Sequence, residues 1–175
     1  MGKKTNGKLN IREMAVFSML GALMYASKVA MEFLPNVHLL GVFICAETIV
    51  YGRKALWPIY IFIFITGLMN GFASWWIPYL YIWVILYFAV RLIPKGSSPV
   101  FYMLASGLHG LLYGTLYAPA QALLFGLNFQ GMITWIIAGL PFDAIHGVSN
   151  FICGILIVPL SKLLMKLEKG EIKNE

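Results

Sequence analysis

Apolar stretches about as long as a lipid bilayer is thick make up most of this chain. A spanning helix needs about 20 mostly apolar residues. Apolar residues form 60% of the 175 residues and charged residues only 11%, against about 25% charged residues in soluble domains. A soluble fold of this length could not bury so much apolar surface. The sequence therefore predicts an all-α integral membrane protein in which lipid is the solvent for much of the surface.

Six segments are predicted to span the membrane, and together they form a single membrane domain over residues 1–175. The predicted helices cover residues 11–34, 37–52, 56–74, 78–93, 100–125 and 140–167. The second of them is short. Residues 126–139 are predicted to form a partly helical loop at the outer face. The basic start of the chain could also belong to a signal peptide, but the apolar run from Met14 to Leu34 is longer than the ~7–15 residues of a signal peptide's apolar region.

The basic residues predict the orientation of these helices. In the six-helix arrangement, 12 of the 13 lysines and arginines fall at one side: Lys3, Lys4, Lys8, Arg12, Arg53, Lys54, Arg91, Lys95, Lys162, Lys166, Lys169 and Lys173. The positive-inside rule makes that side cytoplasmic, so both termini are predicted to lie inside. Because topology suffices to explain the net charge of +6, we do not expect nucleic-acid binding.

The opposite loops are aromatic, with Trp75, Trp76, Tyr79, Tyr81 and Trp135. Such residues form interfacial belts in many membrane proteins. They could also form a stacking surface for a flat ligand. The sequence alone leaves both interpretations open.

A polar stripe marks the sixth predicted helix. Asp143, His146 and Asn150 are spaced by three and four residues, which places them on one helix face, and they descend from the outer boundary. Polar groups within a membrane helix indicate function by default, although interhelical hydrogen bonds could also account for them. We expect these residues to bind a ligand, with Tyr117 and either Trp135 or Trp76 closing over it.

Two further sets of polar residues are candidates. The fifth predicted helix has residues four apart on one face, which are either ligand-binding or packing residues: His109, Tyr113, Tyr117 and Gln121. In the first helix Lys28 and Glu32 are one turn apart and can pair, as an interfacial ion pair or at the ligand. The sequence gives no account of Glu47.

Small residues recur every fourth position in the first helix, at Ser18, Ala22, Ala26 and Ala30. A strip of small residues allows another helix to approach closely. The strip could pack inside the bundle or dock a separate membrane partner; we call it the alanine strip.

No enzyme is predicted. The chain lacks the sequence patterns of zinc proteases, serine hydrolases and phosphate-binding loops. Cys45 and Cys153 lie in apolar runs and indicate buried thiols. A metal site built from His109, His146 and Asp143 would be unspecific, and we expect no metal and no cofactor in this chain.

These features together resemble the substrate-binding S components of energy-coupling factor (ECF) vitamin transporters. The resemblance covers nearly the whole chain, and three stretches carry it: the alanine strip around Ala22 and Ala26, LPNV at residues 34–37, and GLPFDAIHGVSN at residues 139–150. The last two stretches are most similar to members assigned to cobalamin precursors of the alpha-ribazole type.

The resemblance implies a function. Such proteins lie in the bacterial plasma membrane and bind a vitamin or precursor at the outer side, between helices 4 to 6 and the outer loops. Their first helix docks onto a transmembrane coupling protein that carries two cytoplasmic ATPases. The ATPases use ATP, and the S component topples to release its substrate inside. The rival interpretation is a stand-alone secondary carrier, or an intramembrane enzyme that uses Asp143 and His146.

Overall fold

The protein is helical almost throughout, as its sequence predicts. The computed structural model describes residues 9–169, and no strand occurs within that range. Eight α-helices follow one another in the described part of the chain, with three short 3-10 turns between some of them. The all-α prediction is therefore confirmed, while several helix boundaries differ from the predicted ones.

The first helix, α1, spans Ile11–Ala30. Its start is fixed by a capping box: the Asn10 side chain accepts a hydrogen bond from the Glu13 backbone at 2.7 Å, and Glu13 accepts one from the Asn10 backbone at 3.1 Å. These bonds satisfy N–H groups that a helix start leaves unpaired. The helix ends four residues before the predicted Leu34, and turns lead on to Pro35.

The second helix, α2, spans Leu40–Tyr51 and is short, at 12 residues. A 3-10 turn over Gly52–Ala55 joins it to α3, Leu56–Asn70. Gly52 adopts φ 56°, a conformation that glycine reaches without steric cost, and the chain reverses there. Residues Leu40 to Thr48 are all buried, so α2 is the central helix, packed against α4 and α8.

The predicted fifth helix is two helices in the structure. After α4, Tyr79–Leu92, the chain forms α5 over Pro99–Leu111 and α6 over Tyr113–Phe125. The two meet at Leu112, which has ψ 4°. The carboxylate of Asp143 accepts from the Gly114 backbone at 3.0 Å through each oxygen. An anion at a helix start stabilises its exposed N–H groups, which explains why the chain can begin a new helix there.

The predicted loop at 126–139 is mostly helical. α7 spans Phe129–Cys153, and its Asn128 cap accepts from the Gly131 backbone at 2.8 Å. The predicted sixth helix thus begins eleven residues early, and Pro141 lies inside it. A 3-10 turn at Gly154–Leu156 then leads into α8, Ile157–Lys169. Sequence pattern missed the early start because glycines at 126, 131 and 139 resemble loop signals.

Within residues 9–169, three continuous helical stretches are long and apolar enough to cross a membrane: Leu40–Asn70, which contains α2 and α3, Ser74–Leu92, and Phe129–Lys169, which contains α7 and α8. In each of them, only a small share of an apolar stretch of 18 residues is buried inside the protein: 33%, 33% and 28%, respectively. Large apolar side chains instead face outward, such as Leu92 at 84% and Leu123 at 87% exposure. Such a surface is stable only in an apolar solvent, which gives the chain the character of a membrane protein.

Contacts between helices define two ends of the bundle. At the basic end, Arg12 donates to the Leu167 carbonyl at 2.8 Å, Lys54 pairs with Glu13, and Gly52 lies beside Arg91. At the aromatic end, Tyr25 donates to Asn70 at 3.2 Å, and Tyr117 donates to the Trp75 carbonyl at 2.7 Å. Helices α1 and α3 therefore run in the same direction, from the basic end to the aromatic end.

Candidate functional site

All three histidines of the chain meet in the interior, although they come from distant parts of the sequence. The rings of His38 and His146 lie 4.6 Å apart between centroids. Trp83 contacts His38 at 6.0 Å and His109 at 5.8 Å, and Tyr113 lies 4.8 Å from His146. We call these residues the histidine cluster: His38, Trp83, His109, Tyr113 and His146. The segment before α2 and helices α4, α5, α6 and α7 each contribute one of them.

Several polar atoms in and below this cluster are buried without a hydrogen-bond partner among residues 9–169: His38 Nδ1, Trp83 Nε1, His109 Nδ1, His146 Nε2, Ser106 Oγ and Asn150 Oδ1. Buried polar atoms are nearly always paired in proteins, and exceptions need an explanation. Imidazole nitrogens can donate or accept, whereas the indole nitrogen only donates. The cluster thus offers both kinds of hydrogen bond to a molecule that enters it.

His109 is anchored to the neighbouring helix while part of its ring stays free. Its Nε2 lies 3.0 Å from the Ile82 carbonyl in α4, and its ring packs against Trp83 and Tyr113. Because one nitrogen is fixed by the carbonyl, the ring orientation is fixed and Nδ1 remains available. His109 and Tyr113 of the predicted set therefore lie in one site with His146.

Asp143 performs a structural task. Both of its oxygens accept from the Gly114 backbone, and the residue is 5% exposed. A side chain added at Gly114 would collide with this carboxylate, so the glycine permits the contact. Asp143, one turn above His146, therefore makes an interhelical hydrogen bond, which is the alternative that the sequence left open for the polar stripe.

Asn150 lies deeper on the same face. It is 1% exposed, and its Nδ2 is 3.5 Å from the Ser106 carbonyl, a weak contact that leaves Oδ1 free. Gly41 and Gly110 bring the backbones of α2 and α5 against it. Asn150 is therefore enclosed by three helices below the histidine cluster.

The aromatic residues at the outer loops divide into two groups. Tyr117 stacks on Trp135 with centroids 5.9 Å apart and an interplanar angle of 17°; Gln121 lies half-buried one turn further along α6. Trp76 instead donates to the Ile63 carbonyl at 2.8 Å and packs on Phe72. Tyr117 and Trp135 thus lie over the cluster, whereas Trp76 lies against α3.

A cavity opens at the aromatic end, next to the cluster. We call it the mouth cavity; its volume is about 280 Å³ and its lining residues are Lys28, Thr66, Asn70, Trp75 and Tyr79. Tyr79 joins the two features, because its ring lies 5.5 Å from Trp83, edge to face. The mouth cavity and the histidine cluster therefore form one continuous polar and aromatic region.

Sequence reasoning missed four site residues, which are His38, Trp83, Thr66 and Asn70. His38 follows Asn36 in a loop, and Trp83 occupies an apolar helix, so no periodic pattern selects them. The useful signal was that the chain has only three histidines, all in apolar surroundings. Trp75 and Tyr79 stood out in the sequence only as loop aromatics.

The alanine strip faces outward. Ser18, Ala22, Ala26 and Ala30 are all exposed, while Phe17, Gly21 and Met24 form the buried side of α1. Ala22 and Ala26 line an open groove of about 900 Å³ between α1 and α8, whose other walls are mostly apolar. The strip therefore does not pack inside this bundle.

Other ionisable groups form no recognisable centre. No group of three or more His, Cys, Asp or Glu side chains in residues 9–169 is arranged to hold a metal ion. Glu47 is completely buried in α2, and neither of its oxygens has a hydrogen-bond partner in the described part of the chain. Nothing in the structure explains Glu47.

Comparisons with known proteins add no relative. No protein-family model, curated protein or solved structure matches this chain.

Proposed function

We propose that this chain is the substrate-binding S component of an ECF-type importer for a vitamin or cofactor precursor. The observation that carries the proposal is the cluster of buried, unpartnered hydrogen-bonding groups next to an open aromatic cavity. A binding site combines apolar and aromatic surface with a few directed polar groups. The rings of the histidine cluster and of the mouth cavity supply the aromatic surface, and the unpartnered nitrogens supply the polar groups. In this proposal the ligand enters from the aromatic end.

The membrane arrangement is part of the proposal. The helices cross the bilayer six times, with α5 and α6 together forming one crossing and α7 with α8 another. The basic end faces the cytoplasm, as the positive-inside rule requires, and so do both termini. The bacterial plasma membrane is the expected location, and the cobalamin-precursor branch is the proposed ligand group.

The exposed alanine strip supports the partner part of the proposal. Small residues beside an apolar groove allow a helix of another membrane protein to approach closely. We assign this surface to a transmembrane coupling protein that carries two cytoplasmic ATPases. The chain itself hydrolyses nothing and needs no cofactor; ATP is used by its partners.

Asp143 weakens the enzyme alternative. Both oxygens of the Asp143 carboxylate accept from the one Gly114 N–H, so a structural role accounts for this buried carboxylate without an enzymatic one. A stand-alone carrier would show inverted repeats, and the chain has none that can be recognised in its sequence.

Transport assays test the proposal. We expect the purified chain to retain a small molecule in native mass spectrometry, and to transport it in proteoliposomes only when the coupling protein, the ATPases and ATP are present. The reason is that this chain supplies binding while the partners supply energy. Uptake by the chain alone would contradict the proposal and favour a secondary carrier. Chemical conversion of the solute by the chain alone would favour an enzyme.

Cysteine labelling tests the orientation. In a variant whose own cysteines are replaced by alanine, Ala73→Cys and Gln130→Cys are expected to react with an impermeant thiol reagent in intact cells. Ser98→Cys and Lys169→Cys are expected to react only after permeabilisation, because they lie at the basic end. All four side chains replaced are exposed in the structure. Labelling of Ser98→Cys in intact cells would show that the basic end lies outside.

A further inference from the structure

Lys28 provides the positive charge at the mouth cavity. The other lysines and arginines of residues 9–169 lie at the basic end or in the turns and helix that lead to it: Arg12, Arg53, Lys54, Arg91, Lys95, Lys162, Lys166 and Lys169. A cation of this kind at a ligand-binding surface favours an anion. The electrostatic potential at the mouth cavity is therefore more positive than at the rest of the aromatic end.

The partner of Lys28 can leave it. Lys28 Nζ lies 3.0 Å from Glu32 Oε1, and the side chains are 20% and 55% exposed respectively. An exposed ion pair contributes little to stability. Glu32 is the more exposed of the two and can turn into water, whereas Lys28 remains at the cavity wall.

Asn70 presents a second donor in the same cavity. The Tyr25 hydroxyl donates to Asn70 Oδ1 at 3.2 Å, which orients the amide and leaves its NH₂ group free to donate. Thr66, buried at 1% exposure, already donates its hydroxyl to the Phe62 carbonyl at 2.7 Å. The Lys28 ammonium group and the Asn70 amide line the same cavity, so both can donate hydrogen bonds to the oxygens of one acid group.

Two aromatic rings form the other walls. Trp75 and Tyr79 lie 5.5 Å apart with their planes at 87°, so each ring presents a different surface to the cavity. The volume of about 280 Å³ lies just below the ~300–1,000 Å³ typical of sites for drug-sized ligands. The space accordingly suits a compact ring system.

We propose that the ligand is a compact aromatic acid, whose carboxylate or phosphate is held by Lys28 and Asn70 while its ring lies against Trp75 and Tyr79. This inference rests on the proposed function, because it names the ligand class of that same site. In the ligand-free protein the Glu32 carboxylate forms an ion pair with the Lys28 ammonium group. The incoming acid displaces Glu32 and takes its place, while the far side of the ligand extends past Tyr79 to the unpartnered nitrogens of the histidine cluster.

Titration calorimetry of the purified chain in detergent, after any retained ligand is removed, tests the ligand class. The probes are benzoate, phenyl phosphate and benzamide. We expect at least one of the two acids to bind with millimolar or tighter affinity, and benzamide at least tenfold more weakly, because the amide lacks the charge that Lys28 recognises. Whichever of benzoate and phenyl phosphate binds more tightly identifies the acid group as a carboxylate or a phosphate.

Variants connect that preference to the cavity. Lys28→Gln is expected to abolish the difference between acid and amide, Lys28→Arg to keep it, and Glu32→Gln to tighten acid binding several-fold by removing the competing carboxylate. Lys162→Gln, an exposed lysine of α8, is the control and should change nothing. Melting temperatures of each variant confirm that it is folded.

Three results would overturn the inference: equal affinity for benzoate and benzamide, no binding of either acid at 10 mM or so, or an unchanged acid preference in Lys28→Gln. None of these results would refute the proposed function, provided that the chain retains a small molecule and transports it with its partners. Failure of that retention and transport would refute the proposed function separately.

Discussion

Replacing Ala22 with tryptophan is expected to abolish uptake while leaving ligand binding nearly unchanged. Ala22 is exposed, and it lines the groove between α1 and α8. A bulky ring there prevents the close approach that small residues allow, while no contact inside the bundle is lost. Uptake by proteoliposomes with the complete complex and ligand binding by the isolated chain are the two measurements. Ala26→Trp should behave in the same way.

A matched control is an exposed alanine on another helix. Ala144 in α7 faces outward but lies outside the alanine strip, so Ala144→Trp should preserve uptake. If Ala22→Trp destroyed binding and the complex still assembled, the strip would be part of the bundle's packing. If Ala144→Trp abolished uptake as well, bulk anywhere on the surface would be harmful, and the strip would have no special role.

The His146→Leu variant is expected to bind ligand at least tenfold more weakly without a loss of stability. His146 is 3% exposed and its Nε2 has no hydrogen-bond partner among residues 9–169. Replacing an unpaired buried polar group with an apolar group of similar size can be neutral or stabilising, whereas losing a directed hydrogen bond to a ligand costs roughly 1–3 kcal/mol. Ligand affinity and melting temperature should be measured on the same preparation.

Asp143→Ala is expected to have the opposite effect to His146→Leu: the protein should lose stability and keep its ligand affinity. Removing the carboxylate leaves the Gly114 N–H unpaired in a buried place, which costs about 1–3 kcal/mol of folding stability. Affinity per folded molecule should hold, and Asp143→Asn should restore most of the stability because asparagine also caps helices. If His146→Leu lowered the melting temperature and kept full affinity, the cluster would serve packing and the proposed site would be wrong.

The sequence predicted the class of fold well because the signal is repeated in every segment. Apolar content and helix length are properties of whole stretches, and neither depends on a single residue. Boundaries were less predictable where a tertiary contact decides them. The break at Leu112 depends on Asp143, a residue about 30 positions away, and α7 begins at Phe129 because the Asn128 side chain caps it.

The candidate site was only partly predictable for a similar reason. Helical spacing correctly placed Asp143, His146 and Asn150 on one buried face, but spacing could not show that Asp143 binds Gly114. The histidine cluster joins His38 to His146 across more than 100 positions of sequence, and no local pattern records such a contact. The same limit hid Trp83, whose ring lies at the centre of the cluster.

The shortness of α2 determines where water can approach the ligand. Its 12 residues rise about 18 Å, while the apolar core of a bilayer is about 30 Å thick. In the proposed orientation residues 31–39 therefore lie below the level of the headgroups, where the Ser149 hydroxyl donates to the Asn36 carbonyl at 3.0 Å. Non-helical backbone is stable at such depth only inside protein or beside water. We expect the outer face of the protein to be recessed at this segment, and water rather than lipid to cover it.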